Sequence, residues 1–252
     1  GNVRMALRLV DAATKPYDDR HFRTVDPCEW PPRCTASGRP CSRRPEVAGA
    51  RKDEEGRDVE LLGLASGDAS VWLIENFVSE EDAAGLLDLA RNASFSTSPT
   101  HHSDGQDWRS SSSTVLPNSS ELIRRVAERA AAICSVPKAF VEDLQLVRYL
   151  PGERYQPHLD SDGPDHRHWT MLLYLNDPGG GGATGFPLLG LKVLPSPRAA
   201  LFWENLRLEP GLLRPVRNYN TLHDGQAPIG QEPKYAVNIW VRNAEYRRTG
   251  AT

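Results

Sequence analysis

The sequence predicts an α+β fold, with two amphipathic helices followed by an all-β region of the sandwich or barrel type, for which a jelly roll is one solution. Three observations carry this expectation. Helical periodicity is confined to residues 79–92 and 119–134. Beyond them only short strand-like runs occur, "LQLVRYL", "TMLLYLN", "LKVLP", "AALFW" and "YAVNIWVR", broken by Gly, Pro, Asn and Asp. Finally, 20 glycines and 20 prolines among 252 residues provide many turns, while a hydrophobic content of 39% is enough for a core.

Taken in order, residues 1–58 differ from the rest. Pro16, Pro27, Pro31, Pro32, Pro40 and Pro45, many charges and few periodic apolar positions predict a disordered arm, because too little apolar surface is available to offset the ordering entropy. Arg33, Arg39, Arg43, Arg44 and Arg51 would suit an acidic partner, but a solvated linker is the simpler role. Cys28, Cys34 and Cys41 lie in this arm without a CxxC or a nearby histidine pair, so they read as thiols rather than a zinc site; Cys134 is the fourth cysteine. Residues 59–252 form the expected folded domain. Val71 to Ile74 read as a strand. Ser79 opens a helix with Asp82 as a capping acid and Leu86, Leu87 and Leu89 on the apolar side. The Ser/Thr/Asp-rich stretch 94–120, with His101 and His102, reads as a long loop or ragged hairpin. The second helix carries Leu122, Val126, Ala130 and Ile133 on one stripe.

The global properties exclude little. A formal net charge of -3 and a pI near 6.2 give no basic signal for nucleic acid. Apolar runs are far too short to span a membrane, and no signal peptide is visible in the first residues.

The informative stretch is "RYLPGERYQPHLDSDG", residues 148–163. On a strand, alternate side chains share a face, so His158 and Asp160 point the same way. His223 follows in "NTLHDGQAP", at the end of a late strand and before a turn. Two histidines and a carboxylate with open positions constitute the facial triad of non-haem Fe(II) oxygenases. In "KYAVNIWVR", period two places Lys234, Ala236, Asn238, Trp240 and Arg242 on one face, suited to a polar pocket wall, and Val237, Ile239 and Val241 on the core face. A lysine there offers a charge-assisted hydrogen bond to the far carboxylate of a 2-oxo acid chelated at the metal. The rival pair His166 and His168 has no companion acid at a convincing spacing. The "GGGGATG" run lacks the GK[ST] ending of a phosphate loop and reads as a turn. Trp203 reads as a core aromatic.

With these residues in view, residues 71–243 resemble the prolyl 4-hydroxylase family of 2-oxoglutarate/Fe(II)-dependent dioxygenases. The stretches that carry the resemblance are "VWLIENFVSEEDAAGLLDLA", "LQLVRYLPGERYQPHLD", "TMLLYLND", "GGATGFPLLGLKVLPSPRAALFW" and "LHDGQAPIGQEPKYAVNIWVR", in the family's order. The resemblance implies a double-stranded β-helix (jelly-roll) core over residues 140–243, supported by the two N-terminal helices. It implies His158, Asp160 and His223 as iron ligands, Lys234, Tyr149 and Thr184 at the distal carboxylate of 2-oxoglutarate, and Trp240 lining the pocket. Arg109, Ser111 and Arg167 fall where family members hold the peptide, with the Ser-rich loop around Arg109 as a mobile lid. The implied activity is hydroxylation of an unactivated C–H, first of all in peptidyl proline, as in a procollagen-proline 4-dioxygenase. It uses Fe(II), 2-oxoglutarate and O2, with L-ascorbic acid as reductant, and releases succinate and CO2. Much of the family resides in the secretory pathway (endoplasmic reticulum). Three departures from the family pattern stand out: Ala183 in place of the usual glutamate, Gln156 in place of an acid before Pro157, and a Lys234 one residue farther from His223. A hydroxylase of another residue or a small molecule, and a non-catalytic binding module on the same fold, remain as alternative readings.

Overall fold

The computed structural model describes residues 23–25, 45–65, 69–97, 109–116, 120–161 and 166–247. Strands β1 (Arg23–Val25), β2 (Val47–Lys52), β3 (Asp58–Ala65) and β4 (Val71–Ile74) precede helix α1 (Glu80–Asn92). Strands β5 (Ser96–Thr97) and β6 (Ser112–Leu116) lead to helix α2 (Glu121–Ile133). Ten further strands follow: β7 (Leu144–Tyr149), β8 (Tyr155–His158), β9 (Arg167–Tyr174), β10 (Thr184–Phe186), β11 (Leu191–Val193), β12 (Ala200–Glu204), β13 (Leu206–Arg207), β14 (Val216–Arg217), β15 (His223–Gly225) and β16 (Lys234–Arg242).

The strands build two main sheets. The larger has the order β2-β3-β4-β12-β9-β16-β7-β6-β5 and the smaller β1-β11-β10-β15-β8, while β13 and β14 form a separate ribbon. The period-two alternation of the central strands assigns their side chains to two cores. Leu146, Met171, Leu173, Phe202, Val237, Ile239 and Val241 face outward, against Leu86 and Ala90 of α1 and Ile123, Val126, Ala127 and Ala130 of α2. Val147, Tyr149, Leu172, Tyr174, Leu201, Trp203 and Ala236 face inward, against Phe186, Leu191 and Val193 of the small sheet. Each fully buried large apolar side chain in these layers stabilises by about 1.5–3 kcal/mol. The result is the expected double-stranded β-helix, with both helices packed on the outside of its larger sheet.

Helix α1 begins where the sequence places it, with Ser79 Oγ accepting a hydrogen bond from the Asp82 amide at 3.0 Å. Its buried face is Ala83, Leu86 and Ala90; Leu89, expected on the apolar side, is exposed because it points away from α2 and the sheet. In α2 the buried stripe centres on Ile123 and Ala127. Leu122 sits instead at its edge, against α1 at Gly85, where a Cβ would lie 3.0 Å from the leucine Cδ2.

The N-terminal boundary requires correction. Within the expected arm, β1 pairs in parallel with β11, and β2 forms a hairpin with β3 that extends the large sheet. Asp53 closes that hairpin, accepting from the amides of Glu55 and Arg57 at 3.0 and 2.8 Å. Five of the nine strands in the large sheet precede residue 140, so the sheet is wider than the expected core of residues 140–243 allowed. The stretch 94–120 supplies β5 and β6, a short antiparallel hairpin. Cys28, Cys34, Cys41, Arg33, Arg39, Arg43, Arg44, His101 and His102 lie outside the described residues. Cys134 is buried at the end of α2, and burial pushes its thiol pKa up. No helix among the described residues is long and apolar enough to cross a membrane.

Candidate metal and co-substrate site

β8 and β15 are antiparallel neighbours, and their register sets His158 directly opposite His223. Two expectations shift slightly: the strand carrying His158 ends there, so Asp160 occupies the bend that follows, and His223 opens its strand rather than closing one. The three side chains nonetheless converge, with their ligand atoms all within 4.8 Å of one another.

Hydrogen bonds fix which nitrogen faces inward. Nδ1 of His158 lies 2.8 Å from the carbonyl of Gln156, and Nδ1 of His223 lies 3.0 Å from that of Thr221. A carbonyl only accepts, so each Nδ1 carries a proton, and in the neutral ring it is Nε2 that keeps the lone pair. These Nε2 atoms stand 3.9 and 3.6 Å from the Asp160 carboxylate. Burial, reinforced by the neighbouring His223, pushes His158 down to about 3, although Asp160 opposes the shift. For Asp160, burial acts upward, but His223, His158, Arg167 and the hydroxyl of Thr170 together hold it below the usual carboxylate range. A neutral imidazole facing a carboxylate anion is the donor set of a divalent cation, so the residues fit the metal that the pattern implies.

The second half of the site lies along β15. Lys234, at the start of β16, is paired in register with Tyr149 on β7 and is buried to 1% exposure. Its ammonium donates to the carbonyl of Gly182 at 2.7 Å and lies 5.2 and 5.4 Å from the ring centroids of Tyr149 and Tyr174. The hydroxyls of Tyr174 and Thr184 share a hydrogen bond of 2.8 Å. Burial brings Lys234 down to about 7, against the pull of Asp224, whose own carboxyl burial raises to about 7. An ammonium has three donors, and among the described residues one is used, which suits a carboxylate ligand. Gly225, two residues beyond His223, lets Tyr149 lie across β15, since a Cβ there would be 2.8 Å from the phenol oxygen.

At the mouth, the ring of Tyr155 stacks on His158 at 3.6 Å, and the guanidinium of Arg109 lies 4.6 Å from the Tyr155 centroid. Arg109 also donates to Ser111 Oγ at 2.7 Å; Ser111 is wholly buried and hydrogen-bonds Tyr149, so it stands behind Arg109 rather than on the surface. Arg167 makes a bidentate pair with Glu142 at 3.0 and 2.9 Å and covers the Trp240 ring at 3.5 Å. Trp240 shares the inward parity of Lys234, as expected. His168 stacks on Trp169 at 3.9 Å and takes no part in the triad.

Residue patterns pointed to the triad and Lys234, and the resemblance added Tyr149, but neither pointed to Tyr155, Tyr174 or Thr170. The last two carried a readable signal, as polar groups at the inward positions of the otherwise apolar strand "TMLLY". Tyr155 carried none, because its contact with His158 depends on the local bend of β8.

Residues 144–242 match the model of the 2OG-Fe(II) oxygenase superfamily. Over this stretch the chain is similar to that superfamily, and the curated relatives it matches are prolyl 4-hydroxylases. It is 26% identical over 226 residues to Prolyl 4-hydroxylase 5 of Arabidopsis thaliana, covering 77% of this chain and 76% of that protein. It is 29% identical over 191 residues to human Prolyl 4-hydroxylase subunit alpha-1, covering 69% of this chain and 35% of the subunit, so it spans about a third of that longer relative. Among solved structures, the viral collagen prolyl hydroxylase of Paramecium Bursaria Chlorella virus-1, in its 2OG complex, superposes with a TM-score of 0.53. That match has 26% identity and covers 69% of this chain and 96% of that one. The matched domain, the relatives and the His-Asp-His cluster suited to iron together support a 2-oxoglutarate- and Fe(II)-dependent dioxygenase.

Proposed function

We propose that the protein hydroxylates peptidyl proline at the mouth of its β-helix, with O2 as co-substrate and ascorbate as reductant. The observation that carries this reading is the convergence of His158, Asp160 and His223 beside a buried lysine–tyrosine pocket, in a chain whose relatives are named prolyl hydroxylases. Nε2 of both histidines and the Asp160 carboxylate would hold Fe(II). Lys234, Tyr149 and Thr184 would hold the far carboxylate of 2-oxoglutarate, and the inward-facing Trp240 would wall the pocket. Bound iron supplies the oxidising chemistry, coupling decarboxylation of 2-oxoglutarate to succinate and CO2 with insertion of oxygen into an unactivated C–H.

The chain's own residues orient and shield this chemistry. The Nδ1–carbonyl bonds keep both imidazoles in the tautomer that ligates. Tyr155 offers an aromatic face beside the metal, which suits an apolar pyrrolidine ring. Arg109 above it and Arg167 beyond Trp240 present donors for the carbonyls of an extended peptide. The test is succinate release with Fe(II), 2-oxoglutarate and ascorbate over proline-rich peptides, lysine peptides and free amino acids, with His158→Ala as background. Stimulation by proline peptides alone, absent from the variant, is expected. Turnover at background with proline peptides but above it with another class would remove peptidyl proline.

A further inference from the structure

Behind Asp160 lies a buried chain of hydrogen bonds that the metal site does not itself require. The indole Nε1 of Trp203 donates to Asn205 Oδ1 at 2.9 Å, Asn205 Nδ2 donates to Thr170 Oγ1 at 2.8 Å, and Thr170 Oγ1 donates to Asp160 Oδ2 at 2.7 Å. Trp203, Asn205 and Thr170 are each exposed by 2% or less. The backbone fixes the middle member as well: the Asn205 amide donates to the His168 carbonyl, and its carbonyl accepts from the Asn218 amide, both at 2.8 Å.

The direction of this chain is dictated by its first link. An indole N–H only donates, so Asn205 must turn its carbonyl oxygen to Trp203 and its NH2 to Thr170. The threonine oxygen is thereby engaged as an acceptor, and its single hydrogen is directed at the carboxylate. A hydroxyl without this constraint rotates freely among staggered positions. Aligned donors in a low-dielectric interior also polarise one another and strengthen the last bond. Trp203 touches the other side of the site too, with its ring 4.7 Å from that of His223.

We infer that Trp203, Asn205 and Thr170 form a positioning relay that locks the Asp160 carboxylate by its Oδ2, fixing the orientation in which its two oxygens meet His158 and His223. This rests on the iron site proposed above. The three are positioning residues, since none touches a reacting atom. Outer partners of ligating carboxylates commonly change metal affinity by about 10–100-fold when removed, and the relay accounts for such an effect at Thr170.

The test is Mn(II) binding to the full chain by electron paramagnetic resonance titration, alongside the ratio of hydroxylated product to succinate. Thr170→Val keeps the shape and removes the donor; Thr170→Ser restores it. Asn205→Asp replaces the donating NH2 with an acceptor, so Thr170 turns its hydrogen toward residue 205 and away from Asp160. The relay predicts a Mn(II) Kd raised about tenfold or more in Thr170→Val and Asn205→Asp, near wild type in Thr170→Ser, and a lower product-to-succinate ratio in the two weakened variants. Wild-type affinity in both Thr170→Val and Asn205→Asp would overturn it. Equal impairment of Thr170→Ser and Thr170→Val, matched by equal losses in Tm, would also overturn it by assigning the effect to packing. His158→Ala separates the two layers: if wild type and His158→Ala bind Mn(II) alike, the metal site itself has failed, whereas a silent Thr170→Val beside a non-binding His158→Ala removes only the relay.

Discussion

At the scale of residues, the least ordinary group is Lys234, an ammonium enclosed at the start of β16 with a carbonyl and two aromatic rings around it. Burial brings its pKa from 10.5 to about 7 in the ligand-free protein. The sign of the consequence follows from proton counts. Between these two values the unfolded chain holds a proton that the folded chain has released, so stability of the free protein rises with pH across that window. Ligand binding runs the other way, because the distal carboxylate of 2-oxoglutarate requires the charged form. Affinity for 2-oxoglutarate, measured calorimetrically with Mn(II) present, should therefore weaken above pH 7, by up to about tenfold per unit. Lys234→Arg, which stays charged, should lose that dependence; a flat profile in the wild-type protein would remove Lys234 as the anchor. The triad and this lysine were legible because metal ligation and ion pairing require particular residue types. Tyr155 was not, since its role comes from a ring stack, and Ser111, expected among the peptide contacts, is instead buried behind Arg109.

Among elements, β15 joins the two halves of the site. His223 opens it and Gly225 closes it, and the absent side chain at Gly225 is the space that Tyr149 fills. Gly225→Ala would place a Cβ within 3.0 Å of the phenol oxygen and of its ring carbon, so Tyr149 must shift from its present place beside Lys234. Overpacking of this kind costs about 1–3 kcal/mol. The expected signature is a large rise in KM for 2-oxoglutarate with a smaller change in kcat and retained Mn(II) binding. An unchanged KM would show that Tyr149 does not hold the co-substrate. Elements with a clean period were read correctly: β16 alternates between pocket and core as expected, and Ser79 caps α1. β2 was missed because all six of its residues are exposed, so no alternation marks it. Leu89 was misplaced because propensity and pattern alone do not reveal which flank of a helix meets its neighbour.

For the whole molecule, metal binding and folding are linked, since His158 and Asp160 lie at the end of β8 and just beyond it, and His223 on a strand far along the chain. A cation held across β8 and β15 ties together two neighbouring strands at one edge of the small sheet. At a Mn(II) concentration of 100 times Kd the folded state gains about 2.7 kcal/mol, which for a chain of this size corresponds to a rise in Tm of about 5–10 °C. Differential scanning calorimetry should show this rise, its reversal by chelator, and its absence in His158→Ala. A wild-type Tm indifferent to metal would mean that the triad does not close across the strands.

By itself, the sequence determined the local and chemical features of this protein. Two 3.6-residue periods made helices, period-two alternation gave β7, β9, β12 and β16 their faces, and an HxD, a later histidine and a lysine specified a divalent-cation and dicarboxylate site. Tertiary structure alone decided which distant strands would pair, bringing β1 beside β11 and β2–β3 onto β4. It also decided that Thr170, Asn205 and Trp203 would align behind Asp160. The reason is physical: periodicity depends on neighbours along the chain, whereas strand partners and the direction of a hydrogen-bond chain are set by groups that meet only once the two sheets have closed on each other.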